Sequence, residues 1–472
     1  MAQRFDAIVI GTGQSGPPLA VRLGQSGRKT AVIERAAFGG TCVNVGCTPT
    51  KAYVACARAA HVARHAADFG VRIGGGELAS GVPAGNVHVD LAFVKARKER
   101  IVGASRDGVE RWLREAPNVT VFKGHARFSG AHAVRVSTHD GAQADLEAPE
   151  IFINTGTRAQ IPAIPGLETI RYETNSTLLA LEQLPEHLAI CGASYVALEF
   201  AQMFRRFGSR VTVLVRGQRI LSREDEDFSH AVQDLLAREG VAFRFGAQPR
   251  SVAPLEGDAG VRIALDSGPL DASHLLFATG RVPNTDDLGL DAAGIETDTH
   301  GLIAVDGQLR TAVEGIWALG DVNGRGAFTH SSYDDFQIVA ANLLDGKARS
   351  ADTRIPAYAV YVDPPLARVG LSEREVRERG KPALIATMPM SRVGRARERG
   401  ETGGFMKAMV DPQTQRILGA AIFGIEGDEA IHTFIDTMTA GAPYTTLQYA
   451  MHVHPTVSEL VPTLLDGLKP LA

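Results

Sequence analysis

The feature that most constrains this chain is a short strand that runs into a glycine loop and then a helix. FDAIVI (5–10) is an apolar run rich in Ile and Val, the pattern of a strand buried on both faces. Gly11-Thr-Gly13-Gln-Ser-Gly16 follows it and opens a helix over 16–24; Lys29–Ile33 is the next strand, ending at Glu34. That order is the context in which G-x-G-x-x-G binds a dinucleotide. Gly11 allows the tight turn, Gly13 lets backbone approach a pyrophosphate, and Gly16 lets helix and strand pack closely. The helix N-terminus faces the phosphates. Glu34 falls at the offset where an acid takes ribose hydroxyls.

The unit recurs. Leu188–Cys191 reads as a strand, Gly192 as the turn, Tyr195–Phe207 as a helix and Arg210–Val215 as the following strand. Two such units predict two Rossmann-like domains in an α/β chain. At about 150 residues per domain, 472 residues leave room for a third. Beyond residue 350 the glycine pattern stops, and strands near 404–410 and 417–423 with a helix over 427–440 predict an α+β unit. Residues 90–115 read as a helix, Val119–Glu150 as a small antiparallel sheet, and the Gly-rich stretch 70–86 as an exposed insertion.

Composition excludes several classes. Hydrophobic residues at 44% and charged residues at 22% describe a globular chain. A net charge of −4 gives no basic footprint, so no nucleic-acid partner is expected. The N-terminus lacks the apolar core of a secretory signal, and the apolar run Leu188–Phe204 is interrupted by Glu199, so no membrane span is expected. Four cysteines (42, 47, 56 and 191) are too few for a secreted disulfide scaffold and fit a cytoplasmic chain.

Gly39-Gly-Thr41-Cys42-Val-Asn-Val-Gly46-Cys47-Thr-Pro-Thr-Lys51 is the densest stretch. Five helical residues rise about 7.5 Å, whereas a disulfide needs Cα atoms within about 7 Å. A regular helix therefore cannot let Cys42 and Cys47 bridge; the chain must bend between them, which Gly46 eases. A thiol at a helix start persists as thiolate, which suits a pair cycling between disulfide and dithiol. Cys-x4-Cys lacks the second pair a zinc site needs, so no metal is expected. Cys56 and Cys191 read as small buried hydrophobes.

GGTCVNVGC, the two glycine units and a C-terminal His454-Pro-Thr-Val-Ser-Glu459 together resemble the FAD-dependent pyridine nucleotide–disulfide oxidoreductases, nearest their mercuric-reductase-like branch. The resemblance spans essentially the whole chain. It implies an FAD-binding domain over 1–155, an NAD(P)H-binding domain over 156–279, a second FAD segment over 280–350 and a dimerisation domain over 351–472. It makes Cys47 the thiolate facing the flavin and Cys42 the interchange thiol. Lys51 lies by the flavin, paired with Glu199; Thr41, Thr155, Gly156 and Asp321 join Gly11, Gly13, Gly16 and Glu34 around FAD. His454 becomes the acid that protonates a leaving thiolate, with Glu459 holding its other nitrogen, both supplied by the partner subunit of a homodimer.

Gly192, Ser194, Tyr195, Glu199 and Gly280 then line the nicotinamide nucleotide, Tyr195 as a gate over the flavin. Ser194 and Ala197 replace the second and third glycines of the motif. The offset that reaches Glu34 from Gly11 reaches Val215 from Gly192, and Arg216, Arg219 and Arg223 follow. An acid would suit the ribose of NAD; arginines suit a 2′-phosphate, so NADPH is expected over NADH. The implied activity is reduction of a small disulfide. Its alternatives are an NAD-linked dihydrolipoamide dehydrogenase, a reductase of metal ions or oxidants, and a flavoprotein scaffold without redox work. No cysteine follows Cys191, so the C-terminal relay of mercuric and large thioredoxin reductases is not expected. The arginine-rich stretch 391–399 reads as a solvated loop, with attraction of an anionic substrate as its alternative.

Overall fold

The computed structural model describes residues 2–71 and 87–471; the predicted insertion lies, from residue 72 on, outside them. Strand Ala7–Ile10 is central to an eight-stranded sheet, flanked in parallel by Thr30–Glu34 and Glu150–Ile153. Val119–Gly130 extends it beyond Thr30–Glu34, and Ile316–Ala318 pairs beyond Glu150–Ile153. Side-chain alternation sorts the strand onto two layers. Ala7 and Val9 pack with Leu19 and Leu23 of helix Gly16–Gln25 and with Phe336 and Val339 of helix Thr329–Leu344. Ile8 and Ile10 face Val134, Val136 and Leu146 of strands Ala133–Thr138 and Gln143–Glu147. The antiparallel strands expected over 119–150 are therefore part of the main sheet: Val119–Gly130 pairs in parallel with Thr30–Glu34 and antiparallel with Ala133–Thr138.

A second parallel sheet orders Val241–Phe245, Arg210–Val215, His187–Cys191 and His274–Phe277. Leu188 and Ile190 face Leu198 and Phe204 of helix Tyr195–Phe207; Ala189 and Cys191 face the three-stranded meander Ser251–Pro254, Val261–Ala264 and Leu270–Ala272. The chain passes between the two sheets along an antiparallel ribbon, Thr157–Ala159 against Arg281–Pro283. Beyond it, six strands form an antiparallel sheet whose core takes in Met406, Ala408, Ile422 and Phe434. Helix Leu91–Glu115 is where the sequence predicts it, started by Asp90, whose carboxylate accepts from the Phe93 N–H.

Candidate active site

The first glycine loop is tied to its own second strand. Thr12 donates its backbone N–H and its hydroxyl to Glu34 Oε2, and Ala36 N–H donates to Glu34 Oε1 at 2.8 Å. Gly11 has φ +98°, and a Cβ there would stand 2.4 Å from the Asn154 carbonyl oxygen; one on Gly16 would stand 2.2 Å from that of Gly11. Only glycine lets the loop lie so close. At the end of the adjoining strand, Thr155 Oγ1 is buried with no hydrogen-bond partner among the described residues. Asp321 Oδ2 accepts from Thr157 Oγ1 at 2.9 Å, and burial raises its carboxyl above the usual range. A glycine cradle, an orphaned hydroxyl and two carboxylates at strand ends fit a bound dinucleotide with a polyhydroxyl chain. Arg281, at the ribbon, donates Nε to Thr157 Oγ1 at 2.7 Å and Nη2 to the Thr157 carbonyl at 2.6 Å. It joins Thr157 and Asp321 in one chain of hydrogen bonds, and Thr41 Oγ1 lies 3.5 Å from Nη2.

The bend between the cysteines is present. Helix Gly40–Asn44 carries Cys42, the chain breaks at Val45 and Gly46, and a new helix begins at Cys47 and runs to Arg64. A Cβ on Gly46 would meet the Thr41 carbonyl at 2.8 Å. Asn44 Nδ2 donates to the Phe38 and Gly40 carbonyls at 2.9 Å each, and Asn175 Nδ2 caps that of Val45, at the break, at 2.6 Å. The neighbouring Cys42 thiol lowers Cys47 to about 6, and the same interaction, with burial, pushes Cys42 up. Thr329 Oγ1, 3.1 Å from Cys47 Sγ, and the Lys51 charge also favour the Cys47 thiolate. Thr329 opens helix Thr329–Leu344, so two helix N-termini converge on this sulfur.

Lys51 lies one turn beyond Cys47. Its Nζ donates to Glu199 Oε2 at 2.7 Å, from a different domain. Tyr361, from the six-stranded unit, closes the pair: its N–H donates to Glu199 Oε1 at 2.8 Å, and Lys51 Nζ stands 4.4 Å from its ring centroid. Tyr195 packs against Phe328 at 5.8 Å, and Phe328 is stacked on Tyr358.

In the second loop Gly192 has φ +122°, and a Cβ there would stand 2.2 Å from the Ala278 carbonyl. Ser194 precedes helix Tyr195–Phe207 without a side-chain capping bond. Arg216 and Arg223 are exposed; Arg219 donates to the Ser222 carbonyl at 3.2 Å. Gly280, at φ +141°, meets the Gln160 side chain across the ribbon.

His454 Nδ1 and Glu459 Oε2 lie 2.8 Å apart, the imidazole 80% exposed and the carboxylate 14%. Among the described residues no hydrogen bond links His454 to either cysteine of its own chain. Cys191 is buried as expected, which pushes its thiol up to about 12. Cys56 departs from expectation: it is only half-buried, although burial still raises its thiol. Among the described residues no cluster of three or more His, Cys, Asp or Glu is placed to hold a metal ion, and no helix is long and apolar enough to cross a membrane.

Arg281, Thr329, Tyr361 and Asn175 escaped the sequence reading of the site. Only Arg281 carries a local signal, as the residue after the Thr-Gly of the second crossing.

Comparison with known proteins agrees with this arrangement. The pyridine nucleotide-disulphide oxidoreductase family matches residues 5–335, and its dimerisation domain matches 356–465. The probable pyridine nucleotide-disulfide oxidoreductase RclA of Escherichia coli is 36% identical over 99% of this chain and 100% of its own length. Mercuric reductase of Streptomyces lividans is 34% identical over 96% and 94%, and dihydrolipoyl dehydrogenase 3 of Pseudomonas aeruginosa 34% over 97% of each. The solved structure of the HOCl-induced flavoprotein disulfide reductase RclA from E. coli superposes with a TM-score of 0.87 at 35% identity, covering 98% of this chain and 99% of that one. A Cu(II) complex of the same E. coli protein superposes at 0.89. The chain thus belongs to the pyridine nucleotide-disulphide oxidoreductases, homodimer-forming enzymes that work with FAD and NAD(P)H.

Proposed function

We propose that this chain is a cytoplasmic NADPH-dependent reductase of a small disulfide, with Cys42 and Cys47 as its redox pair. The helix break that sets Cys42 and Cys47 on two successive helices, with Thr329 Oγ1 3.1 Å from the Cys47 sulfur and Lys51 one turn beyond it, carries the reading. Segments 1–155 and 280–350 hold FAD through Gly11, Gly13, Gly16, Glu34, Thr41, Lys51, Thr155, Gly156 and Asp321. Segment 156–279 holds NADPH through Gly192, Ser194, Tyr195, Glu199, Arg216 and Arg219, with Gly280 at the junction; 351–472 forms the dimer.

FAD held by these residues would supply the two-electron link between NADPH and the Cys42–Cys47 disulfide. Cys47 leaves as the thiolate, held by Thr329 and Lys51, and Cys42 takes up a proton. His454 of the partner subunit removes that proton, and Cys42 attacks one sulfur of the substrate disulfide. The S–S bond breaks, the leaving thiolate receives the proton from the imidazolium, and a mixed disulfide remains. Cys47 attacks it, expelling the second thiolate, which takes a proton from solvent, and the Cys42–Cys47 bond re-forms. The balance is NADPH, a proton and a disulfide to NADP+ and two thiols. Glu459 keeps the imidazole in the orientation this needs.

The Cu(II) complex of the E. coli protein favours a second reading, in which the dithiol delivers electrons to a soft metal ion. Anaerobic titration with NADPH and with NADH, then with a panel of disulfides, lipoamide, Cu(II) and Hg(II), separates these. Reduction by NADPH and reoxidation by a disulfide supports the first reading; reoxidation by metal ions alone supports the second. Preference for NADH with lipoamide exchange overturns the nucleotide assignment.

A further inference from the structure

The arginine stretch 391–399 has no part in the scheme above. Its backbone is anchored: Val393 and Ala396 are fully buried with Met390 in the core beneath the six-stranded sheet. That packing turns Arg392, Arg397 and Arg399 to solvent and leaves Arg395 half-buried. Arg395 Nη2 donates to the Pro455 carbonyl at 2.9 Å, while Nη1 bonds Glu398 at 3.1 Å. Pro455 is the residue after His454.

The turn that carries His454 has its own short-range bonds. Thr456 Oγ1 donates to the Val453 carbonyl at 2.7 Å and accepts from Glu459 N–H at 3.2 Å, and Glu459 holds the imidazole. These fix the shape of the turn, not its place on the domain. Upstream, Tyr449, Met451 and Val453 are 81%, 99% and 76% exposed and give the turn no anchorage within its own chain. Among the described residues the turn is tied to the body by Val457, buried just beyond it, and by Arg395.

We propose that Arg395 is a positioning residue for the acid–base step: by gripping the Pro455 carbonyl it sets where the His454 imidazole stands over the partner's dithiol. The inference rests on the role given to His454 above. Proton transfer works over about 2.6–3.2 Å, and a misplacement of about 1 Å costs about 100-fold. A charge-assisted bond to the carbonyl next to the histidine is suited to hold that tolerance.

The test uses the FAD-loaded dimer and separates two steps by stopped flow: reduction by NADPH, and reoxidation of the two-electron-reduced enzyme by 2-hydroxyethyl disulfide. The neutral probe keeps loss of the arginine charge from acting on the substrate. Arg395→Met should slow reoxidation about 10- to 100-fold and leave reduction by NADPH within about twofold. Arg395→Lys, which keeps a charged donor, should stay within about threefold of the parent. In the His454→Gln background Arg395→Met should add less than about twofold, because a residue acting through the imidazole has nothing left to position. Parent-like reoxidation of Arg395→Met, its full effect in the His454→Gln background, or a matching loss in the NADPH step overturns the inference alone. Unimpaired reoxidation of His454→Gln, or a parent enzyme that the disulfide does not reoxidise, overturns the acid–base reading and the inference with it.

Discussion

The two nucleotide halves share one plan and differ in how they close their glycine loops. In each, a parallel sheet has helices on one face and an antiparallel meander on the other, and successive strand residues divide between the layers. In each, a left-handed glycine lies under a backbone carbonyl of the neighbouring strand end, that of Asn154 for Gly11 and that of Ala278 for Gly192. The first half then needs Gly16, whose Cβ would strike the Gly11 carbonyl. The second has Ala197 at that place, and its helix begins earlier, at Tyr195. The first loop is latched by the Glu34 carboxylate; the second is held by backbone, Leu221 N–H to the Ala193 carbonyl at 2.9 Å, leaving arginines at the strand end. The two loops share backbone geometry and differ in the side chains after the second strand, and the proposed choice of nucleotide rests on that difference.

The hardest test of that comparison substitutes the two matching glycines. Gly11→Ala and Gly192→Ala each place a methyl against a carbonyl in a left-handed turn, costing roughly 1–2 kcal/mol for the backbone and roughly 1–3 kcal/mol for overpacking. Gly11→Ala should purify without FAD, whereas Gly192→Ala should keep its flavin and lose reduction by NADPH; flavin absorbance and thermal unfolding read both. A colourless Gly192→Ala protein would break the division of labour.

The dithiol belongs to the first half, and its titration sharpens the contrast. The Cys47 thiol is shifted down from 9.0 to about 6, so the thiolate is present above that pH and is lost as pH falls through it. Alkylation of reduced enzyme by iodoacetamide should show a midpoint near 6, and Thr329→Val should raise it by removing a donor. Substituting arginines of the second half should leave the midpoint where it is. Arg216→Ser with Arg219→Ser should raise the KM for NADPH about 10- to 100-fold, the worth of one or two charged hydrogen bonds, with the KM for NADH unmoved. The smallest effect is expected at Ser194, which has extended backbone and makes no capping bond. Ser194→Gly should change the KM for NADPH by less than about twofold, since glycine at such a position costs only a few tenths of a kcal/mol.

What the sequence made legible was what repeats or lies close along the chain. Gly11, Glu34 and Gly192 follow from one spaced pattern, and the bend at Gly46 follows from the length of five helical residues. The pairing of Lys51 with Glu199 came from family resemblance, because no spacing rule joins residues in different domains. Thr329 and Tyr361 were invisible for the same reason: each acts by way of domain packing, and each is an ordinary residue in its own segment; Arg281 had only its place after Thr279-Gly280 to mark it. The 119–150 meander was recognised as antiparallel, but its first strand serves two neighbours in opposite senses, which local alternation does not encode.

The pairing of Ile316 with Ile151 has a consequence for biosynthesis. The first sheet cannot gain its last strand until the ribosome has translated the whole second sheet. At about 5–20 residues per second the wait is on the order of ten to thirty seconds. During it, the edge at Glu150–Ile153 is open while His187–Phe277 emerges. The second sheet, whose four strands pair with one another within residues 187–277, is thus free to form before the first is complete.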